Sequence, residues 1–382
     1  MRLTDGDYAG FDDRLAAHDA FLASRYPGER AGRQPVHTVY IPADRIGGFR
    51  EWGGRALAAL DECPPLPFAA ALADRVRAKL AAEPIEDLRV DFEDGYGVRD
   101  DDQEDAAVKA AVAVLADGPR PPFVGVRIKS LEAATRHRSL RTLDLFLSLY
   151  QEPFVITLPK VSGPDQVTAL VRLCELLERA YGPAAGRLTF EIQVELPAAV
   201  LGADGAATVA RLITAAEGRC TGLHYGTYDY SAAAGVAAAY QAMDHPVADY
   251  AKAVMQAAAA GTGVRLSDGS TNILPVGTDV AVHDGWALHY RLVRRSLERG
   301  FYQGWDLHPA QLPTRFAATY AFFADGVDAA STRLRNYLDR RSGGILDEPA
   351  TARALAGYLL RGLDCGALDD VGFTREQLTA LL

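Results

Sequence analysis

The chain has 382 residues, of which 49% are hydrophobic and 24% charged, which is typical of a globular protein that buries a full core without disulfides. Its formal net charge of −10 at pH 7 argues against a nucleic-acid-binding surface, which would have to be basic. No apolar run reaches the roughly 18 residues that a membrane-spanning helix needs, and no apolar signal segment opens the sequence, so we expect a cytoplasmic protein without a membrane anchor. The four cysteines form no C-x-x-C pair, which predicts reduced, buried thiols.

Short β-prone apolar runs alternate with helical patterns along the chain, as is typical of parallel α/β architecture. Eight runs are predicted to be strands, at 37–41, 88–92, 123–128, 154–158, 188–194, 222–225, 264–266 and 302–307. Helices are predicted at 51–61, 67–82, 101–115, 140–150, 166–180, 207–216 and 287–299.

This alternation predicts an α/β fold, a (β/α)₈ TIM barrel with a C-terminal helical extension. An open doubly wound sheet is the alternative, but it would want a glycine-rich phosphate loop after the first strand, where the sequence has Ile-Pro-Ala-Asp-Arg. We expect three regions: an N-terminal helical extension at 1–35, the barrel at 36–309 with a long insertion at 46–86, and a helical lid or oligomerisation segment at 310–382.

In such a barrel, reactive groups gather at the carboxyl ends of the strands. In chain order these ends supply acids with a few cations: Asp44, Asp91, Glu93, Asp94, Arg127, Lys129, Lys160, Glu195, Asp229, Asp268 and His308. That composition suits a divalent cation together with an anionic ligand.

Glu195 and Asp229 end the fifth and sixth strands, which are neighbours about 4.8 Å apart in a barrel. Two carboxylates placed in this way can hold one hard cation and leave room for water and substrate oxygens. Because no cysteine or histidine cluster accompanies them, the site favours Mg²⁺ or Mn²⁺ over Zn²⁺. The alternative interpretation is a pair of solvated carboxylates on the barrel rim.

Arg127 lies inside the apolar third strand, where an arginine must be paired. Its planar fork suits a substrate carboxylate, but a buried salt bridge to Asp91 or Glu93 on the second strand explains it as well, and both can hold together. The acidic run from Asp91 to Asp94 itself requires a cation or a proton as a partner.

Other residues at the strand ends also have two interpretations each. His308, which precedes a proline, is either an acid–base group or, more commonly, a loop-fixing hydrogen-bonding residue. Tyr225 either lines the pocket or packs in the core, and Gly226 follows it as a third candidate substrate-binding residue. Lys160 is a formal candidate for a Schiff base, which a metal site makes redundant.

Eight segments come in a characteristic order: VYIPADR at 39–45, VDFEDG at 90–95, GVRIK at 125–129, TLPKV at 157–161, QVELP at 193–197, GTYDY at 226–230, GWDLHPAQ at 304–311 and GGILDEP at 343–349. Together they resemble the citrate lyase β-subunit and 2-oxo acid (HpcH/HpaI-type) aldolase family of the phosphoenolpyruvate–pyruvate barrel superfamily. The resemblance covers roughly residues 36–360.

By this resemblance, Glu195 and Asp229 bind Mg²⁺, with Mn²⁺ as a substitute, and Arg127 holds the carboxylate end of the substrate. Glu93 and Asp94 support the water molecules of the metal and belong, with Arg127, to the catalytic set. The expected reaction is carbon–carbon lyase chemistry of the aldolase type on a 2-oxo acid or hydroxyacyl-CoA, through a metal-stabilised enolate.

The tail supplies a further catalytic candidate, Asp347. By the resemblance, this acid reaches the barrel mouth of a neighbouring subunit, which implies a homo-oligomer, either a trimer or a hexamer. Alternatively, Asp347 only caps the helix that begins near Pro349, as aspartates often do.

Two departures from the family pattern affect the choice of substrate. A Gly-Tyr-Gly sequence ends the acidic motif of the second strand, and the insertion at 46–86 occupies the approach where relatives hold CoA. CoA use is therefore open. Two alternative functions remain: a malate synthase-like transferase that condenses an acyl-CoA with a 2-oxo acid, and a non-catalytic relative that binds a metabolite.

Overall fold

A closed ring of parallel strands forms the centre of the molecule. The computed structural model describes residues 2–63, 70–339 and 348–382. In this part of the chain, eight parallel strands pair in the order β7-β6-β5-β4-β3-β2-β1-β8. They are β1 (His37–Pro42), β2 (Asp87–Asp91), β3 (Phe123–Arg127), β4 (Val155–Leu158), β5 (Thr189–Val194), β6 (Cys220–Tyr225), β7 (Arg265–Ser267) and β8 (Gly304–Trp305).

The two ends of this strand order meet through a parallel backbone bridge between Ser267 and Gln303, and the N–H of Asp268 donates to the Gln303 carbonyl at 2.8 Å. The predicted (β/α)₈ barrel is therefore confirmed, and the alternative of an open doubly wound sheet is wrong.

Helices surround the barrel and extend beyond it. They are α1 (Asp5–Arg25), α2 (Trp52–Glu62), α3 (Ala73–Ala82), α4 (Asp101–Ala116), α5 (Arg136–Leu149), α6 (Pro164–Tyr181), α7 (Pro197–Val200), α8 (Thr208–Ala215), α9 (Thr227–Ala233), α10 (Pro246–Ala259), α11 (Asp279–Glu298), α12 (Leu312–Leu338), α13 (Pro349–Asp364) and α14 (Arg375–Thr379). Helix α11 begins earlier than predicted because the side chain of Thr278 caps it by accepting the N–H of Ala281, ahead of its apolar stripe.

The interior of the barrel is ionic, whereas its outer wall is apolar. Arg89, at the centre of β2, pairs with Asp87 at 2.7 Å and with Glu191 of β5 at 2.8 Å. Glu191 also lies 2.8 Å from Nε2 of His224 on β6. Residues that alternate with these, such as Val90, are fully buried against the helices. Side chains on a strand point alternately to its two faces, so polar residues fill the ring and apolar ones face outward.

A second buried network anchors the end of β8. Asp306 contacts Nδ1 of His37 at 2.7 Å, Nε2 of His289 at 3.1 Å and the guanidinium of Arg315 at 2.9 Å. Burial opposes ionisation of this acid, but the charge of Arg315 and the two imidazoles hold the pKa of Asp306 well below its usual value. The network joins β8 to β1, α11 and α12.

The segments outside the ring differ in how closely they pack. Helix α2 of the insertion lies on the turn after β8, α3 lies on α12, and α13 packs on α12 in the tail. Helix α1, in contrast, has no buried residue.

All four cysteine thiols are buried and free, as predicted. No helix within the described residues combines the length and apolarity needed to cross a bilayer.

Candidate active site

Four carboxylates surround one ammonium group at the carboxyl end of the barrel. Nζ of Lys160, in the turn two residues after the end of β4, lies 2.6 Å from Asp229 and 3.0 Å from Asp94. It also lies 3.8 Å from a carboxylate oxygen of Glu93 and 3.8 Å from one of Glu195. The structure therefore brings together all four acids that the sequence predicted as metal ligands or their supports.

Two different kinds of element present the candidate metal ligands. Glu195 follows β5 and is almost completely buried, and its Oε1 accepts the backbone N–H of Lys160 at 2.7 Å. Asp229 lies in the first turn of α9, because β6 ends earlier, at Tyr225, and its side chain is 47% exposed. Gly226, three residues before Asp229, allows the backbone after β6 to approach Glu195 closely, since a Cβ at this position would lie 2.4 Å from Cβ of Glu195.

Arg127 at the end of β3 is 3% exposed and already paired. Its Nε and Nη2 donate to the two carboxylate oxygens of Asp91 at 2.7 and 2.8 Å. Nη1 lies 3.1 Å from Oε2 of Glu93. The guanidinium carbon lies 4.6 Å from the ring centre of Tyr40 and 5.6 Å from that of Trp305. The salt bridge left open by the sequence is present. Nη1 also donates to Oε1 of Gln193 at 3.4 Å, so each nitrogen of the guanidinium already has a partner within the protein.

The cluster carries more negative than positive charge. Burial raises the pKa of Glu93 to about 7 and also raises the pKa of Glu195. For Lys160, burial favours the neutral amine, but the charges of Glu195 and Glu93 outweigh it and raise the pKa of the lysine. A protonated amine is not a nucleophile, which argues against the Schiff-base interpretation.

The chemistry of these side chains fits a hard divalent cation. All four acids offer oxygen donors, the ligands that Mg²⁺ and Mn²⁺ prefer. Across the described ranges, no three His, Cys, Asp or Glu side chains are arranged to hold one ion between them. In this conformation, the ammonium of Lys160 is instead the cation on which the carboxylates converge.

Comparisons with known proteins establish the family and the fold. The family described as "Domain of unknown function (DUF6986)" matches residues 15–381. The chain belongs to the DUF6986 family. No curated protein matches the sequence.

Among solved structures, this DUF6986 chain is similar to protein CitE from Mycobacterium tuberculosis in complex with magnesium, acetoacetate and coenzyme A. The identity is 20% and the TM-score 0.55, over 88% of this chain and 99% of the other. It is also similar to Haloferax volcanii malate synthase in its magnesium/glyoxylate complex, at 13% identity and a TM-score of 0.54, over 88% and 93% of the two chains. Both likenesses show a shared fold.

Tyr225, a predicted substrate-binding residue, is not part of the cluster in the DUF6986 chain. Its buried ring lies 5.6 Å from Nζ of Lys252 on α10 and 5.6 Å from the ring of Tyr230 on α9. The side chain therefore packs on the helix side of β6. Asp347, the predicted tail acid, lies outside the described residues.

His308, the other predicted substrate-binding side chain, caps the short 3₁₀ helix at Pro309–Gln311. Its Nδ1 accepts the N–H of Ala310 at 3.1 Å, and its Nε2 lies 3.2 Å from Nη2 of Arg55 on α2. This is the loop-fixing interpretation that the sequence offered. A direct substrate contact by His308 stays a prediction.

Sequence reasoning missed two aspects of the site. The sequence analysis did not identify Tyr40 and Trp305, which flank Arg127. Tyr40 could have been found, because it lies two residues after Thr38 on β1 and its side chain therefore points to the same, inner face of the barrel. Lys160 was placed among the charged residues of the rim, but the only role considered for it was a Schiff base. Its position in the turn after β4 was the available signal for a place near the acids.

Proposed function

We propose that this DUF6986 chain is a Mg²⁺-dependent enzyme that makes or breaks a carbon–carbon bond next to the carbonyl of a 2-oxo acid, a lyase of the aldolase and citrate lyase β-subunit type. The observation that carries this proposal is the convergence of four carboxylates on one cation position beside a buried arginine. The shared fold adds support, because the similar structures hold magnesium with acetoacetate and coenzyme A in one case and with glyoxylate in the other.

Each residue has a distinct role in the proposed reaction. Glu195 and Asp229 would hold the cation, and Glu93 and Asp94 would accept hydrogen bonds from its water molecules. When bound, the cation supplies electrophilic polarisation of the 2-oxo group, which favours negative charge at the reacting carbon. Nη1 of Arg127, which contacts Glu93 and Gln193 in this structure, would exchange these contacts for the substrate carboxylate and fix its orientation.

The surroundings of Arg127 make it a rigid anchor. Asp91 holds one edge of the fork, and the rings of Tyr40 and Trp305 cover its face, so the guanidinium is oriented before any substrate arrives. Preorganised charge of this kind costs no rearrangement during the reaction.

We assign the proton transfer to Asp347 from a neighbouring subunit, which makes the proposed enzyme a homo-oligomer.

A transferase of the malate synthase type is the second candidate function. The observation that favours it is a fold likeness of the same degree, which includes a Haloferax volcanii malate synthase complex with pyruvate and acetyl-CoA at a TM-score of 0.51. Both functions would use the same acidic cluster, so the second substrate separates them. Turnover of a 2-oxo acid that strictly requires an acyl-CoA would favour the transferase.

The test is a panel of 2-oxo-4-hydroxy acids and β-hydroxyacyl-CoAs, assayed for release of pyruvate or glyoxylate with Mg²⁺ and with excess chelator. We expect chelator to abolish turnover, Mg²⁺ to restore it, and Glu195→Gln to lose it. Glu175→Gln, a change to a surface carboxylate on α6, is the matched control. If Glu195→Gln turns over at the normal rate in excess chelator, the metal-dependent function is wrong.

A further inference from the structure

Lys160 has a backbone conformation that is uncommon for its residue type. Its φ is +51°, and in the described part of the chain only Glu217 shares a positive φ among residues other than glycine. A side chain with a Cβ pays a free-energy cost in this region, and such residues concentrate at functional sites. This turn after β4 directs the lysine side chain into the acidic cluster, where it is 18% exposed.

The contacts of Lys160 are shared among all four acids. The ammonium touches Asp229 and Asp94 closely and lies 3.8 Å from Glu93 and from Glu195. An ammonium group has three donors on a flexible four-carbon stem, so it can satisfy several carboxylates and can also withdraw from them. A rigid, bidentate arginine would do neither as readily.

We infer that Lys160 is the built-in counter-ion of the acidic cluster: its ammonium occupies the cation position in the metal-free protein and is displaced when a divalent cation binds. This inference rests on the proposed metal-dependent function and deepens it. Lys160 is thus a positioning residue that sets the metal concentration at which the site fills. A lysine on the rim whose ammonium contacted none of the metal ligands would leave metal affinity nearly unchanged.

Two opposite effects follow from this role. Without metal, the ammonium offsets the repulsion among four neighbouring carboxylates and so stabilises the folded state. With metal, the same ammonium competes for the carboxylates and lowers their affinity for the ion. Removing the charge should therefore weaken the metal-free fold and strengthen metal binding, which a merely structural lysine would not do.

The experiment compares wild type, Lys160→Met and Lys160→Arg by calorimetric titration with MgCl₂ and by thermal unfolding with and without Mg²⁺. Lys109→Met, a change on the exposed face of α4, is the matched control. We expect Lys160→Met to bind Mg²⁺ roughly tenfold more tightly or better, because a unit charge a few ångströms from the ion is removed. Without Mg²⁺, the Tm of Lys160→Met should be lower than that of wild type. Addition of Mg²⁺ should raise the Tm of Lys160→Met by more than it raises the Tm of wild type. Lys109→Met should match wild type, and Lys160→Arg should not bind more tightly.

Several results would overturn the inference. If wild type binds Mg²⁺ and Lys160→Met binds it equally or more weakly, the counter-ion role is refuted but the proposed function is not. If neither wild type nor Lys160→Met binds Mg²⁺, the counter-ion role and the metal-dependent function are both refuted. If Lys160→Met does not fold without Mg²⁺ but folds with it, the inference is supported. If it folds in neither condition, the dissociation constant for Mg²⁺ is measured for the milder variant Lys160→Gln instead. Binding tighter than in wild type supports the inference, and equal or weaker binding overturns it.

Discussion

Arg127→Lys keeps the positive charge at the end of β3 but removes its two-pronged contact with Asp91. A lysine ammonium can replace only one of the two hydrogen bonds of 2.7 and 2.8 Å, so one charge-assisted bond of about 1.5–3 kcal/mol is lost. The flat contacts with Tyr40 and Trp305 are lost as well, about 0.5–2 kcal/mol. Some of this loss is recovered by the lysine, and we expect the free energy of unfolding to fall by about 2–4 kcal/mol.

Urea unfolding followed by circular dichroism measures this change. Arg172→Lys is the control, because that side chain is 61% exposed and its replacement should change the free energy by less than about 0.5 kcal/mol. Unfolding of Arg127→Lys at the wild-type urea concentration, with the same slope, would refute the idea that Asp91 anchors the arginine. Activity is then compared where both proteins are fully folded, so that a loss of rate reports on the substrate carboxylate.

Three further predictions address other parts of the structure. Gly226→Ala should weaken Mg²⁺ binding roughly tenfold in calorimetry, because its Cβ would lie 2.4 Å from Cβ of Glu195 and displace that carboxylate. Asp306→Asn should cost about 3–5 kcal/mol in urea unfolding at pH 7, because it leaves a buried arginine unpaired. The pKa of Asp306 is depressed, so its contribution is complete above about pH 4 and is lost progressively as the pH falls from there toward the depressed pKa; the difference from wild type should shrink over that range. Inactive Asp347→Ala and Arg127→Ala subunits, refolded together, should regain part of the activity if subunits share a site.

Each of these has its own control and contrary outcome. Gly47→Ala, where a Cβ meets nothing within 4 Å, should leave Mg²⁺ binding unchanged. Unaltered binding in Gly226→Ala would contradict the close packing inferred there. For the buried network, Asp325→Asn is the exposed comparison, and a constant difference between Asp306→Asn and wild type from pH 7 to about pH 3 would contradict the linkage. Mixed subunits that exchange without regaining activity would mean that Asp347 serves its own barrel or only a helix cap.

The sequence was sufficient for the order of the eight strands and of most helices because these elements have local signals, but it did not predict α9 and α10 between β6 and β7. The strands alternate between polar inward and apolar outward positions, and the helices carry apolar stripes. Parity also decides between the two interpretations of Tyr225. His224 points into the ring toward Glu191, so its neighbour Tyr225 points outward and packs against the helices.

The side-chain partners within the site were harder to predict. The sequence placed Arg127 and Asp91 at neighbouring strand ends, but whether the fork binds Asp91 or a substrate depends on distances of a few tenths of an ångström. Lys160 was predicted at the rim, yet its meeting with four acids depends on a backbone turn with positive φ, which has no signature in a sequence of Leu-Pro-Lys-Val.

The ionic interior of the barrel constrains how this family can evolve. Loss of Arg89 alone would leave the carboxylate of Asp87 buried without its cation and that of Glu191 with only His224, a cost of several kcal/mol from a typical total of about 5–15 kcal/mol. In proteins generally, replacement of a whole buried ionic set by apolar side chains of similar volume is often close to neutral. Substitutions at these positions should therefore be inherited in groups, so that distant DUF6986 members either keep the charged set, including His224, or have exchanged it together.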